Sequence, residues 1–437
     1  DRVAVVATNT RATVVSLLAI TSAGMVAVLL EPTSPVAELE RQLEVVGAHM
    51  VLIGTPLHGE LHERTVTPHG TAIDGTDPLP EGPEVAPVDA DDDHLAVMLF
   101  TSGTAGSPKA AMISHGNLTS NQQAVIDTPG AGLGPDSVVL AILPVAHMFG
   151  LNVSLLSTLR VGGTIVLQAA FDPTVAAAAI ARHGVTVLAG VPPMWRAFLD
   201  APGIADDTFS GVDRLGSGAS ALHPTLWYEF RDRFGVELLE GYGLTETSPV
   251  VTSHIGIPVR PGTVGKPAPG VEVKVVDDLG NEVPADDTGE IMVRSAGVFQ
   301  GYWEDEEATR AVLDDEGWLS TRDIGVLSED GYLALVDRAK DLIIVSGFNV
   351  YPFEVETVIV QHPKVGQTVV IGRDDERRGE RVVAFVTVAE GQPPPELDEI
   401  VDFCRARLAR YKCPTELHVV DELPIAPSGK TLRRKLS

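Results

Sequence analysis

Residues Leu99 to Ala110 read LFTSGTAGSPKA, and their types suit the capture of an anion. Gly103 and Gly106 let the backbone turn tightly and come close to a ligand. Hydroxyls on Thr101, Ser102 and Thr104, with backbone N–H groups, can line a concave nest. Lys109 adds a compact positive charge at its edge. Phosphate is the natural guest, although clusters of Gly, Ser and Thr also make ordinary surface turns. The spacing does not fit the GxxxxGK(S/T) pattern of P-loop ATPases, so that class is not supported. The apolar run Leu95 to Phe100 reads as a buried strand that delivers the loop.

The stretch resembles the phosphate-binding loop of the adenylate-forming enzymes, which include acyl-CoA synthetases, peptide-synthetase adenylation domains and luciferases. That loop usually reads TSGTTGxPKG. Here Ala105 and Ala110 depart from it, and one hydroxyl is missing from the cradle. Further along, LLEGYGLTETSPVV resembles the superfamily's YGxTE motif. Gly241 and Gly243 flank Tyr242, which can stack on adenine. Thr245 can hydrogen-bond a phosphate, and Glu246 can hold magnesium, a hard cation that prefers oxygen. Upstream, LGSGASAL follows a strand, and Gly216, Gly218 and Ala219, next to Ser220, would leave a flat slot for a planar base. Alone it is only a Gly/Ser turn.

The resemblance extends to the C-terminus. Asp323 matches the aspartate that accepts both ribose hydroxyls, although the family writes TGD where Arg322 stands here. Arg338 would be a second ribose or phosphate contact. Lys340 would be a hinge, with a plain surface lysine as the alternative. Ser346, Gly347 and Phe348 would line a tunnel for coenzyme A (CoA). In PIAPSGKTLRRKL, Lys430 matches the lysine that reaches the carboxylate and the α-phosphate, while Arg433, Arg434 and Lys435 read as surface charge. His147, in LPVAHMFG, has two readings: a satisfied histidine among apolar residues, or the family's gate beside the carboxylate substrate.

These residues need a scaffold. Residues 1–60 alternate apolar strands with helical stretches, which argues for a parallel sheet covered by helices. Residues 65–93 read as loop, HGNLTSNQQAVI and Thr174 to Arg182 as helices. The nearly uncharged run 138–168 must be buried or line an apolar cavity, with His147 and Arg160 its only ionisable groups. Residues 260–300 alternate with period two and read as antiparallel hairpins of a β-barrel-like part. The expected fold is α/β. It has a large N-terminal AMP-binding domain of helix-covered mixed sheets over 1–339 and a small mobile α+β domain over 340–437. The resemblance also implies a further segment before Asp1.

Composition narrows the partners. With 60 acidic against 32 basic residues and a net charge of −28, the chain is a poor candidate for nucleic acid. It carries no basic amphipathic stretch for a membrane surface. The uncharged run Ala12 to Leu30 is broken by Ser16, Thr21, Ser22 and Gly24, and reads as a helix followed by a buried strand, not a transmembrane span. Two cysteines, Cys404 and Cys413, imply no disulfide framework and fit a cytoplasmic location.

The resemblance implies activation of a carboxylic acid with ATP and magnesium, followed by transfer to CoA. A medium- or long-chain fatty acid is the expected substrate, from the uncharged run and the small residues Gly218 and Gly243. Alternatives are an aryl-CoA ligase, an acyl-AMP ligase serving a carrier protein, a luciferase, and an inactive nucleotide-binding regulator.

Overall fold

A computed structural model describes residues 1–48, 50–53, 71–72, 86–101, 109–338, 343–345, 348–350, 352–375, 379–389, 391–423 and 436. The first layer follows the expected alternation: β1 (Arg2–Val6), α1 (Arg11–Ser22), β2 (Val26–Leu30), α2 (Val36–Val46) and β3 (Met50–Ile53). Thr10 caps α1 by accepting from the Thr13 N–H, and Gly47 ends α2 in the left-handed conformation at φ 55°. With β4 (Thr71–Ala72), β5 (Leu95–Thr101) and β6 (Lys109–Ser114), these strands form a sheet of order β4-β3-β1-β2-β5-β6. It is parallel except at β5–β6, an antiparallel hairpin in which Thr101 faces Lys109. Strand β2 is buried along its whole length, as a parallel strand covered on both faces must be.

A second sheet has the order β13-β12-β11-β10-β9-β7-β8. Its members are β7 (Val138–Ala141), β8 (Thr164–Leu167), β9 (Val187–Gly190), β10 (Arg214–Ser217), β11 (Leu238–Gly243), β12 (Val250–Ser253) and β13 (Lys266–Pro267). Helices α3 (His115–Asp127), α4 (Pro173–His183), α5 (Pro192–Asp200) and α6 (Pro224–Phe234) accompany it in the chain. Trp195 and Phe198 of α5 and Phe230 and Phe234 of α6 join Phe209 in one aromatic core cluster. The uncharged run is mostly buried from Val139 to Thr158, with His147 the exception, and is exposed at Leu159, Arg160, Gly162 and Thr164; part of it, Phe149–Leu156, is a π-helix, a form that concentrates at functional sites.

The period-two region 260–300 supplies β13 to the second sheet and the hairpin strands β14 (Glu272–Val276) and β15 (Thr288–Arg294) to an antiparallel sheet of order β14-β15-β16-β17, which β16 (Leu319–Leu327) and β17 (Leu333–Arg338) complete. The last sheet has the order β19-β18-β21-β20, with β22 pairing parallel to β21. Its strands are β18 (Ile343–Val345), β19 (Phe348–Val350), β20 (Val365–Asp375), β21 (Gly379–Val388) and β22 (Glu416–Val419). A separate core of Val355, Ile359, Val370, Ile400, Cys404 and Cys413 packs there, and both cysteines are free thiols. The fold is thus mixed α/β, with a large N-terminal and a small C-terminal domain. No helix among the described residues is long and apolar enough to cross a membrane.

Candidate active site

The site gathers where β11, the β5–β6 hairpin, α3 and the segment before Asp305 meet. Tyr242, on β11, is buried, and its hydroxyl donates to Asp323 Oδ2 at 2.8 Å. Two residues singled out separately in the sequence therefore touch. Arg338 stands opposite Asp323 in the β16–β17 register. Arg322, where the family writes glycine, takes φ 61°, a left-handed conformation that glycine adopts without strain.

Just after β11, Gly243 leaves no room for a side chain: a Cβ there would lie 1.7 Å from the Pro249 carbonyl oxygen. That approach folds Thr245, Glu246 and Thr247 into a single 3-10 turn. Helix α3 grips the turn. Ser114 and Asn117 form a reciprocal capping box that starts the helix. One turn on, Asn121 donates to the carbonyls of Thr247 (3.1 Å) and Val250 (2.9 Å). Gln122 donates to Asn152 Oδ1 at 2.7 Å, and Asn152, inside the π-helix, donates to the Ser248 carbonyl. Asn121 and Asn152 are satisfied by the backbone they hold in place, and Gln122 by the Asn152 side chain.

Glu246 Oε1 accepts a hydrogen bond from the Tyr302 hydroxyl at 2.8 Å. Burial first, then the nearby Glu246 carboxylate, push the Tyr302 phenol above its ordinary value, so it stays a donor. Lys109, at the start of β6, lies over the Tyr302 ring, 5.1 Å from its centre, and 3.9 Å from Asp305 Oδ2. Ala110 is buried against the core beside Trp303, so a methyl group fills space where the family's glycine would leave it empty. Carboxylate and hydroxyl oxygens at Glu246 and Thr245 are the hard donors that magnesium prefers, so the residues fit that ion.

Three expectations change. The slot at Gly218 is not open, because a Cβ there would meet Phe149 Cε1 at 3.1 Å. Gly241 likewise faces the Thr252 carbonyl, with 2.9 Å available to a Cβ. Gly218, Gly241 and Gly243 are small because the chain packs against itself there, so Gly218 and Gly243 do not argue for a tunnel. Ala219 instead turns the backbone at φ 65° and is exposed, with Ser220 half-buried beside it. His147 is neither buried nor alone: its side chain is 62% exposed and its Nε2 lies 3.3 Å from Glu31 Oε2. Ser102, Gly103, Thr104, Gly106, Lys340, Ser346, Gly347 and Lys430 lie outside the described residues; Phe348 pairs with Val345 on β19.

The AMP-binding enzyme family model matches residues 1–303, and its C-terminal domain model matches residues 354–430. The chain belongs to the AMP-binding enzyme family. ATP, magnesium and CoA are the cofactors used by the CoA ligases of this adenylate-forming family. The chain is 36% identical over 441 residues to a feruloyl-CoA synthase of Amycolatopsis sp, covering 99% of this chain and 87% of the relative. It is 33% identical over 483 residues to a long-chain-fatty-acid–CoA ligase of Salmonella typhi, covering 100% and 85%. Among solved structures, ATP-bound MatB from Rhodopseudomonas palustris superposes with TM-score 0.88 at 31% identity, covering 100% of this chain and 88% of that one.

Tyr302, Asp305, Phe149 and the amides of α3 were not singled out by sequence. The GYWEDEEAT string around Tyr302 offered a faint signal, a glycine and an aromatic ahead of an acidic helix start. Gly301 takes φ 119°, and a Cβ there would meet Thr309 at 2.7 Å, so the glycine serves the turn that presents Tyr302.

Proposed function

We propose that this AMP-binding enzyme is an AMP-forming acid–CoA ligase acting on an acid with an apolar body, a medium- or long-chain fatty acid. The adenylate-forming half of the reading is supported by the 2.8 Å contact of Tyr242 with Asp323, which joins the proposed adenine- and ribose-binding residues across 81 positions of sequence, and the fatty-acid half by the similarity to long-chain-fatty-acid–CoA ligases. The substrate carboxylate oxygen attacks the α-phosphorus of ATP, the bond to the β-phosphate bridge breaks, and pyrophosphate leaves. The thiol sulfur of CoA then attacks the acyl carbon and AMP departs with the bonding electrons, while the thiol proton is lost to solvent.

Two anions meet in the first step, so preorganised cations and N–H donors are the main resource. Lys430 bridges the attacking oxygen and the α-phosphate, and Thr245 donates to phosphate. Thr101, Ser102, Gly103, Thr104, Gly106 and Lys109 hold the leaving pyrophosphate. Bound to Glu246, magnesium would offset phosphate charge. Ala219 and Ser220 flank the adenine, Gly218, Gly241 and Gly243 let the backbone around it pack closely, and Arg338 assists Asp323 at the ribose. Domain 340–437 then turns about Lys340 and brings Ser346, Gly347 and Phe348 to the thiol, a step of the kind that can limit turnover. His147, exposed and 3.3 Å from Glu31, gates the approach of the acid.

One observation favours a second reading. The Phe149 ring lies against Gly218 beside the site, and such a flat aromatic wall suits a planar hydroxycinnamate-type acid. Pyrophosphate release with ATP and magnesium, across acids from acetate to palmitate plus benzoate and coumarate, with and without CoA, separates the two. A chain-length optimum with acyl-CoA formed supports the fatty-acid reading, and a preference for coumarate supports the second. Lys430→Ala is expected to lower the rate on the order of 10²–10³-fold. Adenylate formed but not passed to CoA indicates a carrier-protein acceptor, and silence from folded, ATP-binding protein indicates a regulator.

A further inference from the structure

We propose that Tyr302 is a positioning residue of this site, orienting the Glu246 carboxylate for its metal ion while holding Lys109 against its ring face; the inference rests on the assignment of Glu246 made above. One side chain meets both charged groups. Its hydroxyl donates to Glu246 Oε1 at 2.8 Å, and its ring centre lies 5.1 Å from Lys109 Nζ.

The scaffold fixes this side chain from several directions. The Tyr302 N–H donates to Thr309 Oγ1 at 2.9 Å, and Tyr302 forms a β-bridge with Ala111 on β6. Three residues earlier, the Phe299 N–H donates to the Glu246 carbonyl at 2.9 Å, so the segment is tied to the backbone of the residue whose side chain Tyr302 holds. The Phe299 ring packs edge-on against Tyr302 with centres 4.9 Å apart. Asn117 of α3 holds the same segment through the carbonyls of Ala296 (2.9 Å) and Val298 (2.8 Å).

The hydroxyl is what requires a reason. A phenylalanine would fill the same space, and the one hydrogen bond of this hydroxyl to a described residue is the one to Glu246. Among the described residues, Glu246 Oε2 receives no hydrogen bond. A carboxylate with one oxygen pinned and the other available is already in a single rotamer, so less freedom is lost when a cation binds. The ring supplies the second half. Its negative face attracts the Lys109 ammonium, which also lies 3.9 Å from Asp305 and can exchange that carboxylate for a phosphate.

The experiment measures binding of α,β-methylene-ATP by calorimetry, with magnesium and again with a chelator, for the full chain. Tyr302→Phe keeps the ring against Phe299 and Lys109, so its melting temperature should stay near the parent value. It is expected to weaken binding about tenfold with magnesium and to leave metal-free binding unchanged. In a Glu246→Gln background the same change is expected to have no further effect, because Tyr302 acts through Glu246. The magnesium concentration for half-maximal pyrophosphate release should rise by a similar factor. An unchanged affinity, an equal loss with and without metal, or full additivity with Glu246→Gln would overturn the inference. If the parent protein itself shows no metal effect, the assignment of Glu246 fails as well; if it does and Tyr302→Phe retains it in full, only the inference fails.

Discussion

Replacing Glu240 by glutamine is expected to stabilise the protein in alkaline solution and to change little in mild acid. Glu240 lies on β11, two residues before Tyr242, and its side chain is buried. Its Oε1 accepts from the Leu222 N–H at 2.7 Å. Burial raises its pKa from 4.5 to about 8, against a smaller lowering by that hydrogen bond. The unfolded chain releases this proton near 4.5 and the folded chain near 8. The stabilisation from the raised pKa is therefore complete below the lower value and is lost as pH rises through the higher one. Each pH unit in between costs the folded state about 1.4 kcal/mol, so the full window is worth at most about 5 kcal/mol. Glutamine keeps the acceptor oxygen for Leu222 and cannot ionise. Urea unfolding of both proteins between pH 5 and 9 measures the difference, which should grow steadily in favour of Glu240→Gln and level off near the top of the range. A difference that stays flat with pH would refute the reasoning, because it would mean that Glu240 ionises equally in both states.

Two further outcomes follow from the same geometry. Tyr242→Phe removes the hydrogen bond to Asp323 and should raise the KM for ATP about tenfold, with little change in the KM for the acid; equal changes in both would contradict the assigned roles. Arg322→Gly relieves a side chain at φ 61°, a gain of about 1 kcal/mol offset in part by loss of its hydrogen bond to the Ala311 carbonyl. A small rise in the unfolding midpoint is expected, and a loss above about 2 kcal/mol would show that the arginine, not the backbone shape, holds this turn.

Much of the scaffold was legible because its signals are local. The alternation through β1, α1, β2, α2 and β3 rests on apolar runs and capping residues that lie within a few positions of one another. Helix α4 was expected over Thr174 to Arg182 and spans Pro173–His183, bounded by an Asp172 cap and Gly184. Strand β6 was harder to see, because its residues KAAMIS carry little strand preference and owe their conformation to pairing with β5. The π-helix was invisible for a related reason: its wider i→i+5 turn has no sequence period of its own, and it contains residues with long-range contacts, Asn152 to the Ser248 carbonyl and Gly150 against the Pro144 carbonyl.

The sequence by itself determined the short strings, from Thr101–Lys109 through Tyr242–Glu246 to Asp323, since each is recognised from residues that neighbour one another in the chain. Only the tertiary structure decided how those strings meet. Tyr242 reaches Asp323, Glu246 reaches Tyr302, and the space beside Gly218 belongs to Phe149. The sequence showed α3 only as a helix, and its polar residues Asn121 and Gln122 prove to clamp the Thr245–Val250 turn. The physical reason is the same in each case. A hydrogen bond or a van der Waals contact depends on distance in space, and residues far apart in the chain are brought within that distance only by the packing of the sheets that carry them.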